Sequence, residues 1–171
     1  MTADAHQRAL VLRAQSGDRE AFDALLAEVA PALLRYVTRV TGDAAMAEDA
    51  VQETLIAIVR KISWLQDASL FRAWAYRIAS REAFRLLRKS RRFVEPVEEL
   101  VSLEEPSDPW QRERLLASLE QLSPASRAVI TLHYLEEMPL GDVAAVLDIP
   151  LGTVKSRLSY GLVQLRKENT A

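Results

Sequence analysis

At 171 residues, 49% of them apolar, the chain can bury one compact core or two small ones, which excludes a disordered tail. A formal charge of -2 excludes a uniformly basic nucleic-acid binder but leaves room for a basic face. With no cysteine, neither a disulfide framework nor a thiolate metal site can form, and the cytoplasm is the expected compartment.

The first stretch, MTADAHQRALVLRAQSGDRE, has no signal-peptide run, and no segment reaches the roughly 20 apolar residues of a membrane span. Few glycines, abundant Ala, Leu, Arg and Glu, and apolar residues at helical rather than alternating spacing predict an all-α protein. From Glu20, the residues Phe22, Leu25, Leu26, Val29, Leu33, Leu34 and Val37 keep one apolar face, with Pro31 expected to bend or divide the helix. After a turn at Thr41, Gly42 and Asp43, a long helix carries Val51, Leu55, Ile58, Val59 and Ile62 on its apolar face. Its other face holds Glu48, Asp49, Gln52 and Glu53. Past a turn near Asp67 to Ser69, FRAWAYRIASREAFRLLRKSRR predicts another helix, with Ala75, Ala79, Ala83 and Leu86 inside and a basic stripe outside.

Residues 94–109, VEPVEELVSLEEPSDP, hold three prolines and six acidic residues, no basic residue and no helical period. That is the composition of a solvated, moderately stiff linker. Four short helical stretches follow, at 110–121, 124–137, about 141–147 and 152–167. Ser123 and Pro124 announce the second, as a cap and a first-turn proline. The predicted organisation is two small helical domains on an acidic flexible tether, sampling several relative positions.

Ala144, Asp148 and Val154 stand at helix-turn-helix offsets. A small residue at Ala144 allows a close crossing, Asp148 tolerates the positive φ of a sharp turn, and Val154 points into the angle, continued by Leu158 and Leu165. Thr153 is the expected cap of the second helix, and Thr153, Ser156, Arg157, Tyr160, Gln164 and Lys167 are its expected exposed positions. Packing alone can also place Ala and Val at these offsets. The donors Thr153, Lys155, Ser156 and Arg157 clustered at the helix start favour a recognition helix in a major groove.

Arg77, Arg81, Arg85, Arg88 and Arg92 form a continuous stripe on the preceding domain's last helix, to which Arg72, Lys89 and Arg91 add. Like charges at this spacing cost a few tenths of a kcal/mol per pair, so an external anion such as a phosphate backbone is the expected partner. Trp74, Tyr76 and Phe84 share the helix; stacking on unpaired bases is open to them, although Trp74, beside Ile78, suits the core better. No catalytic constellation emerges: there is no P-loop, GxGxxG or HExxH, and His6 and His133 lie far apart in sequence. Glu48, Asp49 and Glu53 run along one helix without a second helix to complete a magnesium site, so no metal or cofactor is expected.

Together, AEDAVQETLIAIVRKI (47–62), FRAWAYRIASREAFRLLRKSRR (71–92), LSPASRAVITLHYLEEM (122–138) and IPLGTVKSRL (149–158) resemble, in this order, the extracytoplasmic-function sigma factors, the smallest type in the main bacterial sigma family. The resemblance implies a region 2-like domain at 8–93, a linker at 94–109 and a region 4-like helix-turn-helix domain at 110–168. It implies that Glu48, Asp49, Gln52 and Glu53 dock on the clamp helices of the RNA polymerase β′ subunit, with the β flap as a further contact. Arg72, Trp74, Tyr76, Arg77, Arg81, Arg85, Arg88, Lys89 and Arg92 would bind and open the minus-ten promoter element. Thr153, Lys155, Ser156, Arg157, Tyr160 and Gln164 would read the minus-thirty-five element. An anti-sigma factor holding the protein inactive, and a stress or envelope regulon, are implied as well. Ser80-Arg81 and Arg85 depart from the family's usual Asn and Asp. Tyr160, Leu162, Val163 and Gln164 stand where it tends to have basic residues, and Glu137 and Pro139 replace small or capping ones. A decoy that sequesters an anti-sigma factor, or a stand-alone helix-turn-helix regulator, are the alternatives.

Overall fold

The computed structural model describes residues 3–90, 113 and 117–169, and among these all regular structure is helical. Three long helices follow an N-terminal one: α1 (Ala3–Gln15), α2 (Arg19–Thr41), α3 (Ala44–Lys61) and α4 (Phe71–Lys89). The starts of α2 and α3 are fixed by side-chain caps. Asp18 accepts from the Ala21 N–H at 3.0 Å and Asp43 from the Met46 N–H at 3.0 Å, each satisfying an otherwise orphaned donor. Gly42 ends α2 in the left-handed region at φ 67°, a conformation that costs glycine nothing. Pro31 sits within an unbroken α2 on its exposed side, so the expected division does not occur.

The buried faces of α2, α3 and α4 meet around Leu25, Leu33, Tyr36, Ile58, Phe71 and Tyr76. Each large apolar side chain there contributes roughly 1.5–3 kcal/mol by leaving water. In α4 the buried row runs Ala75, Ala79, Ala83 and Leu87, steps of four along one ridge, so it ends on Leu87 while Leu86 is half-buried. Helix α1, which the sequence pattern did not predict, inserts Leu10 and Val11 beside this core. A buried polar thread runs through it: the hydroxyls of Tyr36 and Ser80 lie 2.8 Å apart, and Ser80 Oγ donates to the Tyr76 carbonyl at 2.7 Å. Burial pushes the Tyr36 phenol well above the usual tyrosine range, so it stays neutral there.

The second half consists of α5 (Pro124–Ile130), a π-type turn (Thr131–Leu135), α6 (Leu140–Leu147) and α7 (Leu151–Asn169). Ser123 caps α5, its Oγ accepting from the Ser126 N–H at 3.3 Å, with Pro124 in the first turn. The single helix expected over 124–137 runs unbroken from Pro124 to Leu135, turning π-type over its second half, and the chain leaves it through Glu137 at φ 54°. Asp148 has φ 57° and ψ 46° and terminates α6, the sharp turn its position called for. Val154, Leu158, Leu162 and Leu165 bury the inner face of α7. Gly161 lets α7 lie against α5, since a Cβ there would stand 2.7 Å from Ile130 Cδ1.

The two halves are not apart. Helix α6 packs along α4, α5 packs on α2, and one buried cluster spans both halves. The sequence predicted units that change relative position, and the closed arrangement rests on contacts between residues some 60 positions apart, which no local pattern announces. The linker at 94–109, Arg92 and the start of the stretch at 110–121 lie outside the described residues.

Candidate nucleic-acid interface

Helix α4 carries Arg72, Arg77, Arg81, Arg85, Arg88 and Lys89 against a single acidic residue, Glu82. Arg81, Arg85, Arg88 and Lys89 are exposed, and Arg77 is half-exposed. Arg85 Nε donates to Glu82 Oε2 at 2.8 Å, one turn away on the same helix. Arg72 turns toward the second half, where its Nη2 donates to the Glu136 carbonyl at 2.7 Å and to Glu136 Oε2 at 3.1 Å. The Tyr76 hydroxyl donates to the same carboxylate oxygen at 2.5 Å, and the Arg72 guanidinium lies over the Tyr76 ring. Burial, reinforced by the Glu136 carboxylate, pushes the Tyr76 phenol far up, so it remains a donor at any physiological pH.

One aromatic expectation changes on this geometry. The Tyr76 ring is buried, tilted against Tyr36 with centroids 5.2 Å apart, so it has no open face for a base. Trp74 is half-buried beside Phe71, in keeping with a core role. The aromatic that does stand out is Trp64, 75% exposed in the 3-10 turn just after α3, which no periodic pattern singled out.

On α7, Lys155 is exposed, while Thr153, Arg157, Tyr160 and Gln164 are half-exposed. Ser156 departs from its expected position. It is buried, and its hydroxyl donates back to the Gly152 carbonyl at 2.7 Å, one turn earlier in the helix. Thr153 lies inside the first turn rather than at the cap, because α7 begins at Leu151. Leu162, one of the residues standing where basic side chains were expected, is fully buried and belongs to the packing of this half.

A different surface lies on α3. Glu48, Asp49, Gln52 and Glu53 are all exposed, and among the described residues none of the three carboxylates makes an ion pair or a side-chain hydrogen bond. Val59, expected inside, is 52% exposed and Ile56 is also exposed. At about 100° per residue, Asp49, Gln52, Glu53, Ile56 and Val59 fall within roughly a third of the helix circumference. Exposed carboxylates running into an exposed apolar pair on one helix face are the composition of a protein-docking face. A helical wheel that admitted apolar residues to the polar face would have found it. Among the described residues no group of three or more His, Asp or Glu could hold a metal, and no helix is long and apolar enough to cross a membrane.

Comparison with known proteins gives the same two-part division. The Sigma-70 region 2 family matches residues 25–93, and the Sigma-70 region 4 family matches residues 118–167. The ECF RNA polymerase sigma factor SigL of Mycobacterium tuberculosis is 39% identical over 155 residues, covering 84% of this chain and 85% of that protein. The RNA polymerase sigma-H factor of Pseudomonas aeruginosa is 31% identical over 175 residues, covering 92% of this chain and 91% of the relative. Among solved structures, the sigma factor RpoE from Bartonella quintana, in complex with the anti-sigma factor NepR, aligns with a TM-score of 0.64 at 26% identity. That alignment covers 85% of this chain and 96% of RpoE. CnrH, in complex with the cytosolic domain of CnrY, aligns with a TM-score of 0.70 at 24% identity over 96% of this chain and 97% of its own, a likeness of fold.

Proposed function

The chain belongs to the extracytoplasmic-function sigma factors of the sigma-70 family, and from that premise we propose how its surfaces divide the work of starting transcription. As a sigma factor it directs core RNA polymerase to particular promoters. Residues 8–93 form the region 2 unit, 94–109 the linker and 110–168 the region 4 unit.

Glu48, Asp49, Gln52 and Glu53, continued toward the C-terminal end of α3 by Ile56 and Val59, dock on the β′ clamp helices, and the region 4 unit meets the β flap. The observation that carries this assignment is that α3 presents exposed carboxylates, without an ion-pair partner among the described residues, beside the exposed Ile56 and Val59, while the neighbouring α4 presents arginines. The exposed arginines of α4 track the phosphates of the minus-ten element as it opens. Unstacking a base costs a few kcal/mol, which contacts to the freed strand offset. Thr153, Lys155, Arg157, Tyr160 and Gln164 face the minus-thirty-five major groove, with Ser156 holding the first turn of α7 in shape rather than touching DNA.

The chain catalyses no reaction of its own on this reading, and it works in the cytoplasm, where polymerase is. An anti-sigma factor is its regulator, supported by the fold shared with sigma factors solved in such complexes. Run-off transcription from genomic fragments with core polymerase tests the assignment. The wild-type chain is expected to start transcription and Glu53→Arg to abolish it; transcription surviving in Glu53→Arg would remove α3 as the docking face.

A further inference from the structure

Helix α7 exposes fewer donors at its start than its sequence suggests. Ser156 is buried and spends its hydroxyl on the Gly152 carbonyl at 2.7 Å, and Val154 and Leu158 are buried in the packing of this half. Over the first two turns, Leu151, Gly152 and Lys155 are the residues that stay exposed. Leu151 is the unexpected member. It is 42% exposed although large and apolar, and it stands outside the buried cluster that Leu158, Leu162 and Leu165 join. Glycine offers no side chain, so the end of the helix that enters a major groove presents one apolar side chain and one cation.

Leu151 and Lys155 stand four positions apart, which sets them about 40° from each other round the helix and about 6 Å from each other along it. Stacked bases follow one another at about 3.4 Å, so the two side chains meet edges one or two base pairs apart. The chemistry of each edge is set by the groove. Thymine alone shows a methyl group there, and guanine alone shows two acceptors, O6 and N7, side by side. We infer that Leu151 is a specificity-determining residue: it packs on the C5 methyl of a thymine while Lys155 donates to a guanine one or two base pairs away. The upstream promoter element of this chain therefore holds these two bases together. A polar edge in the place of the methyl is rejected, because leucine leaves its hydrogen bonds unmade.

The role of Leu151 rests on the reading of α7 as the minus-thirty-five helix, and the test separates the two. Core polymerase is loaded with the full-length wild-type, Leu151→Ala or Lys155→Met chain; both positions are exposed, and circular dichroism establishes that all three chains fold alike. The probe is the genomic fragment that gives most transcript in the run-off assay. Each upstream thymine in turn is replaced by uracil, which lacks only the methyl, and each upstream guanine by 7-deazaguanine, which lacks the N7 acceptor. Duplex affinity is the readout. With wild type, uracil at one position is expected to weaken binding about fourfold, the worth of one buried methyl group. At a guanine one or two base pairs away, 7-deazaguanine is expected to weaken it about fivefold. Leu151→Ala loses the response to uracil and keeps the response at the guanine, and Lys155→Met does the reverse. A uracil response that persists in full in Leu151→Ala, or none in wild type while guanine replacement still weakens binding, overturns the role of Leu151 and leaves α7 as the reader. If no upstream replacement changes affinity in any of the three, the reading of α7 as the minus-thirty-five helix falls, and the role of Leu151 with it.

Discussion

The outward faces of α3 and α4 lie on adjacent helices of one bundle and differ in what they already touch. On α3 the exposed carboxylates have no ion-pair partner among the described residues, and two exposed apolar side chains follow them along the helix. On α4, Arg72, Arg77 and Arg81 are each within 3.5 Å of a carboxylate brought from some 60 residues away. One face is open to a partner as it stands, and part of the other is already engaged by carboxylates of the second half.

The sharpest way to break the contrast is Glu53→Arg. A charge reversal at the centre of a docking face is expected to cost 2 kcal/mol or more, about 30-fold in affinity for core polymerase. Single-stranded DNA binding by the same variant is expected to be unchanged; a parallel loss of both would mean the faces do not act separately. Gly161→Ala is next. Its Cβ would meet Ile130 at 2.7 Å, and overpacking of this kind costs about 1–3 kcal/mol, read as a lower denaturation midpoint. Because α5 and α7 lie in the second half, the docking face on α3 is expected to be unaffected.

Tyr76→Phe keeps the buried ring and deletes the hydroxyl that donates to Glu136, a charge-assisted bond of roughly 1.5 kcal/mol. A lower denaturation midpoint without loss of helix is the expected result. The smallest change expected is a gain. Glu137 is held at φ 54°, and Glu137→Gly relieves that left-handed strain by up to about 1 kcal/mol, measured as a higher midpoint in denaturant. It alters neither face, so an effect on polymerase or strand binding would point to a role for the Glu137 side chain outside the backbone turn.

Much of this fold is legible in the sequence because its first half is made of long amphipathic helices. The apolar row from Leu25 to Val37 repeats often enough to fix the inner face of α2, and Asp18 and Asp43 are strong helix starts. In the second half, Asp148 and Val154 could be placed from turn chemistry and offset alone. What stayed illegible depends on geometry at a distance. Val59 falls at the margin of an apolar period and turns outward, and Leu87 takes the place of Leu86 because the buried ridge advances by fours. Ser156 reads as a donor at a recognition helix start, but a serine inside a helix can bond its own backbone, and this one does. The arginine stripe was visible as a demand for anions. That Glu136 and Asp148 meet it could not be seen, since only the folded chain brings them to α4.

The most direct test of the central claim uses the absence of cysteine, which lets single labels be placed at will. With Gln66→Cys and Arg166→Cys, both at exposed positions, spin labels report the separation of the two halves in the full-length chain. A single short distance is the predicted result, since carboxylates of the second half engage α4. A broad spread of distances would contradict that packing.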